Sequence, residues 1–266
     1  MAGGMVARRF GGKWSLALRV VPWALLAVGI KFVLHRLGWE VISLSPLFSG
    51  LLAATVFLLG FMITGVLTDY KESEKIPGEI ASGLEAMGDE LWVLSRSKAV
   101  PEARIALGKV VRLGDAVMDW FYGRLPTPGL HDALNDISAS YPVLEAGGMP
   151  ANYLARLRQE QAGLRRLLIR VQVIRETHFV SSGYAIAQLM AGLLVAGLLL
   201  ARIEPMREGH FFVGLITFLV VYLIRLIGDL DDPFEYESGS GGPDEVSLQP
   251  IEDARDRLRK RVETAG

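Results

Sequence analysis

The sequence predicts an all-α membrane protein: four transmembrane helices arranged as two hairpins, with a helical region between the hairpins. Four apolar runs, Leu16 to Leu34, Leu47 to Thr68, Ser182 to Ala201 and His210 to Gly228, carry the first signal. A helix rises about 1.5 Å per residue, so roughly 20 apolar residues cross a hydrocarbon core, and each run comes close to that length. Hydrophobic residues make up 51% of the 266, and they are gathered in these runs instead of being dispersed as in a water-soluble core. The intervening residues show helical spacing and no alternating strand pattern.

Charge and composition narrow the function. A net charge of −1 lacks the basic excess that a phosphate-backbone binder needs, so no nucleic acid is expected as a partner. There is no cysteine, which removes disulfides, thiolate nucleophiles and Cys-ligated zinc. Patterns of the G-x-x-x-x-G-K-[ST], H-E-x-x-H and G-x-S-x-G kinds are missing, so no enzyme is expected.

The first run follows Arg8 and Arg9, which resemble the start of a twin-arginine leader. The run is too long for a signal core, no small-x-small site ends it, and Lys31, His35 and Arg36 follow; a retained helix is expected. Arg8, Arg9 and Lys13, then Lys71 and Lys75, then Arg165, Arg166, Arg170 and Arg175 flank the runs on one side. The loops Gly38 to Pro46 and Arg202 to Gly209 carry few, nearly balanced charges. By the positive-inside tendency both termini and the central region are expected to be cytoplasmic.

Residues 1–68 thus hold the N-terminal segment and first hairpin, 69–180 the cytosolic region, 181–228 the second hairpin, 229–237 an acidic motif and 238–266 a linker and tail. Within the central region, Pro77, Pro101, Pro126-Thr-Pro128-Gly129 and Gly147-Gly148-Met149-Pro150 punctuate amphipathic stretches. Leu84, Met87, Leu91 and Leu94 mark one, and Leu154, Leu157, Leu164, Leu168 and Val171 another. A packed helical layer is expected, the alternative being separate helices lying on the membrane surface. After Gly228 an acidic segment leads into Ser238-Gly-Ser-Gly-Gly-Pro243, a linker by composition. Ile251 to Val262 mixes charges of both signs along a short helix, read as a solvated tail.

The second run is the most informative. It places Ala53, Phe57 and Phe61 at intervals of four, with Thr64 and Thr68 continuing near the same face. Around an axis shared by several copies, this stripe makes a small ring, two aromatic rings and then hydroxyls. Such a constriction gates by dewetting, and aromatic edges carry partial positive charge that tolerates an anion. Periodicity alone equally allows the two rings to pack against neighbouring helices.

Three segments carry a resemblance. Phe57-Leu-Leu-Gly-Phe-Met-Ile-Thr64, followed by Asp69-Tyr-Lys-Glu-Ser-Glu-Lys-Ile-Pro-Gly-Glu79, resembles the second-helix signature of bestrophin anion channels and their bacterial relatives. Trp14-Ser15 with Arg19 and Pro22 is similar to the family's opening of the first helix, and Asp229-Leu-Asp-Asp-Pro-Phe234 to its acidic-Pro-Phe motif after the fourth. The resemblance implies a homopentamer whose second helices line one central pore for chloride or other small anions. Ala53, Phe57 and Phe61 then fall on the pore neck, Thr64 and Thr68 continue the lining, and Asp231, Asp232, Pro233 and Phe234 form the post-helix motif. Tyr70 and Lys71 replace the tandem tryptophans of many relatives, and Ala53 is smaller than the branched residue often found there.

Animal members of the family bind calcium just after this motif. Here Glu235 and Glu237 stand in place of a run of consecutive carboxylates, so no cofactor is expected and the motif reads as structural, Pro233 ending the helix and Phe234 anchoring the turn. Lys31, Arg19 and Arg225 are expected to snorkel toward the interfaces. Gln188 is expected to hydrogen-bond to a neighbour, and Gly183, Ala187 and Ala191 to form a close-packing face. His35, His131, His178 and His210 are too scattered for a metal pair and read as surface or interfacial. The expected partners are small inorganic ions, membrane lipid and further copies of the chain. A non-conducting membrane scaffold shares this topology without needing the stripe. A secondary transporter would need internal repeats and broken helices, of which Gly60 and Gly65 are the nearest hint.

Overall fold

The computed structural model describes residues 3–97, 101–176, 181–236 and 245–264. Among these, the helices are α1 (Gly3–Leu37), α2 (Pro46–Ser73), α3 (Ile76–Ser97), α4 (Pro101–Phe121), α5 (Thr127–Ser138), α6 (Tyr141–Ala146), α7 (Ala151–Glu176), α8 (Ser181–Leu200), α9 (Met206–Asp231) and α10 (Gln249–Thr264). Two two-residue strands, β1 (Ile42–Ser43) and β2 (Ala201–Arg202), pair in parallel and are, among the described residues, the one departure from the all-α expectation. The chain divides into two compact units, residues 1–70 with 178–233, and 71–177 with 234–266.

The first unit holds four helices long and apolar enough to cross a membrane, at Trp14–Leu37, within Pro46–Arg96, at Ser182–Leu200 and at Met206–Asp231. Each buries one narrow face. Leu59, Met62 and Val66 of α2 meet Ala187, Ala191, Leu194 and Leu198 of α8 and Val213, Val220 and Ile227 of α9 in a single cluster. Spacings of three, four and seven put each set on one side of its helix. The opposite sides expose Leu18, Leu25, Leu189, Leu193, Phe211 and Leu219, an apolar surface that water would not tolerate but acyl chains do.

Lys31 corrects the snorkelling expectation. Its side chain is 2% exposed and lies 2.6 Å from Glu40 of the α1–α2 loop. It also donates to the carbonyl of Leu199, at 3.2 Å, and to that of Ala201. A helix C-terminus presents unpaired carbonyls and partial negative charge, so the end of α8 is a ready acceptor for an ammonium group. The side chain therefore ties α1 to α8 inside the protein and does not reach for the interface.

The second unit is a packed helical layer built on α3. Ile80, Leu84, Met87, Leu91 and Leu94 are all buried, and α3 is flanked by α4, α7 and α10. Prolines fall at helix starts, where a missing N–H costs nothing: Pro77 and Pro101 in first turns, Pro126 and Pro150 just before α5 and α7. Gln161 of α7 closes a buried polar network, donating to the Leu134 carbonyl at 2.6 Å and accepting from the Tyr141 hydroxyl at 2.8 Å.

The solvated-tail expectation fails here too. In α10, Ile251, Ala254 and Leu258 are buried against α3 and α4, and Leu258 fills the space that a side chain at Gly88 would take. Arg255 and Arg259 reach Asp115, Arg257 reaches Glu85, and Arg261 pairs with Asp89. The helix is docked by a short apolar stripe with ion pairs at its margins.

Candidate functional site

The face of α2 that the hairpin core leaves uncovered carries the predicted stripe. Phe57 is 77% and Phe61 68% exposed, while Thr55, Leu59, Met62 and Val66 on the other side of the same helix are buried. Ala53, Thr64 and Thr68 are exposed with the two rings. Packing of the phenylalanines against other helices of their own chain is thereby excluded. One helical turn, about 6 Å, separates the two rings along the axis.

The hydroxyls below the rings are spent locally. Thr64 Oγ1 donates to the Gly60 carbonyl at 2.9 Å and Thr68 Oγ1 to the Thr64 carbonyl at 2.8 Å. A back-bonded threonine turns oxygen lone pairs, not its proton, toward whatever faces the helix. In this rotamer the stripe is apolar and aromatic at Ala53, Phe57 and Phe61 and acceptor-rich toward the Asp69 end.

The acidic-Pro-Phe motif is divided between structural tasks. Asp231 closes α9 and lies near the Tyr184 hydroxyl of α8. Phe234 is fully buried, its ring 5.6 Å from that of Phe121. Tyr236 sets its ring edge-on to Phe121 and Tyr122 and donates its hydroxyl to the Val246 carbonyl at 2.7 Å. Asp232 is part-exposed, and Glu237 lies outside the described residues. Among the described residues no three His, Cys, Asp or Glu side chains come together as a metal site.

Several polar residues behave differently from the sequence reading. Gln188 makes no hydrogen bond among the described residues and lines a cavity between α1, α8 and α9. His210 is half-buried near the start of α9: its Nδ1 lies 2.7 Å from the Met206 carbonyl, its Nε2 is buried, and its ring lies near Phe32. His131 Nδ1 is likewise buried. His35 keeps its interfacial character and contacts Glu40 at 2.9 Å; His178 lies outside the described residues. Burial raises the Glu40 carboxyl, yet hydrogen bonds from Lys31 and His35 and their charges outweigh it and hold the group below its ordinary value. Spacing along α1 could not reveal this cluster, because Glu40 is in a loop and the carbonyls come from α8.

No family model and no curated protein matches the chain at the sequence level. Solved structures do. A variant of a bacterial bestrophin homolog from Klebsiella pneumoniae aligns over 94% of this chain and 98% of its own, with a TM-score of 0.72 and 16% identity. A second structure of a bacterial bestrophin homolog from that organism, phased on zinc, covers 93% and 97% with the same TM-score and identity. A third, another variant, covers 94% and 97% with a TM-score of 0.70 and 15% identity. With near-complete coverage of both chains at TM-scores of 0.70–0.72, the protein has the bestrophin fold.

Proposed function

We propose that this chain is a subunit of an oligomeric ion channel that passes chloride or other small anions through a central pore lined by α2. The observation that carries the reading is the outward stripe of Ala53, Phe57, Phe61, Thr64 and Thr68, opposite the buried Leu59, Met62 and Val66. A pore helix must do both things at once, packing one face within its subunit and turning another to the axis. The bestrophin fold and the motif order support five copies around that axis. Phe57 and Phe61 then form two stacked aromatic rings whose edges favour an anion over a cation, and whose apolar faces exclude water when the neck is narrow. The acceptor-rich threonines lie on the cytoplasmic side of the neck under the positive-inside orientation. A channel subunit in a bacterial inner membrane, with both termini cytoplasmic, accounts for the charge distribution; nothing in the residues supports an enzyme.

Purified protein in liposomes tests this. Anion efflux across a halide series is the expected result, and Phe57→Ala with Phe61→Ala is expected to enlarge or deregulate it. An unchanged flux in the double variant overturns the neck assignment, and flux of cations alone overturns the selectivity.

A further inference from the structure

The first unit contains a cavity of about 840 Å³ between α1, α8 and α9, to which α2 contributes no lining residue. Its walls are mainly aliphatic and aromatic, with Trp23 on the α1 side, and its floor is opened by small residues, Ala191 and Gly192. Three polar groups line it without a partner among the described residues. Thr217 is 3% exposed and its Oγ1 has no hydrogen bond; Gln188 and Arg225 make none and no ion pair. A buried hydroxyl without a partner is costly, as is a guanidinium within an apolar span, so both are retained where something pairs with them.

The arrangement along α9 fits an amphiphile. Thr217 and Arg225 are eight residues apart, about 12 Å along the helix, so a cation marks one end of an apolar trough and a hydroxyl its middle. Arg225 is exposed at the cavity and carries the positive charge there; Asp229 lines the same end, and both it and the nearby Asp231 are already engaged by other groups. We propose that this cavity binds one anionic phospholipid of the bilayer, its headgroup phosphate on Arg225 and an acyl chain along Trp23, Ala191, Gly192 and Thr217. The occupant is lipid because the cavity lies among α1, α8 and α9, whose outer faces expose Leu25, Leu189 and Leu219 as acyl chains require, and because its unpaired charge is a cation.

The test uses the full-length assembly in detergent, titrated with phosphatidylglycerol or phosphatidylcholine and read by native mass spectrometry. Wild type is expected to retain phosphatidylglycerol preferentially. Arg225→Gln removes one charge-assisted contact and should weaken that lipid about tenfold, abolishing the preference. A side chain built at Gly192 meets no atom within 4 Å, so Gly192→Leu fills the trough without a clash and should reduce retention of both lipids. Equal retention of both lipids by wild type, or profiles of Arg225→Gln and Gly192→Leu that match wild type, overturns the proposal. If Gly192→Leu fails to assemble, Arg225→Gln decides alone. Ion flux measured on the same preparations separates the two readings: flux without selective lipid retention leaves the channel standing and removes the lipid site, and retention without flux does the reverse.

Discussion

Lys31 and Glu40 meet at 2.6 Å with side chains only 2% and 10% exposed, and they do so where α1, its following loop and the C-terminus of α8 converge. Removing one partner of such a pair leaves an uncompensated buried charge. Lys31→Met is therefore expected to cost about 3–5 kcal/mol, and Lys31→Met with Glu40→Leu to recover most of it. Thermal unfolding of the detergent-solubilised variants checks both.

The same cluster sets an acid limit. Because the folded Glu40 carboxyl titrates below the unfolded value of 4.5, its contribution to stability is present above that value and is lost as pH falls through the folded one. Wild type should melt above Glu40→Gln at neutral pH, and the gap should narrow as the pH falls below 4.5. Unfolding midpoints of the two proteins across that range measure it.

Docking of α10 should depend on its apolar stripe more than on its ion pairs. Exposed pairs such as Arg259 with Asp115 contribute about 1 kcal/mol or less each, whereas Leu258→Ala removes a buried side chain worth about 2–5 kcal/mol. Amide hydrogen exchange over Gln249–Thr264 should rise sharply in Leu258→Ala and little in high salt.

The post-helix motif should respond residue by residue. Phe234→Ala opens a cavity beside Phe121 and is expected to cost about 3–5 kcal/mol. Asp232→Asn, at a part-exposed site, should stay within about 0.5 kcal/mol of wild type. Melting curves with and without added calcium should coincide for both.

Those elements divide according to how far apart in the chain their partners lie. The four spans were legible because length and apolarity are local properties, and the α2 stripe because four-residue spacing puts Ala53, Phe57 and Phe61 on one face. Lys31 was misread: on its own helix it is a cation near an end, and its acceptors Leu199 and Ala201 lie about 170 positions away. In α10 the charges hid the signal, since Ile251, Ala254 and Leu258 do recur at three and four but the groove that receives them exists only because Gly88 lacks a side chain. The cavity polar groups, Gln188, Thr217 and Arg225, come from two helices and share no sequence pattern at all.

The cysteine-free sequence permits a direct test of the central claim, that Phe57 and Phe61 face the ion pathway. Single cysteines are placed at Phe61 and, as a control of similar exposure on α8, at Leu189, and liposome flux is followed while a charged thiol reagent is added. Phe61→Cys should be blocked and Leu189→Cys should conduct as before. Full flux through reagent-treated Phe61→Cys, with labelling confirmed by mass, would contradict the account.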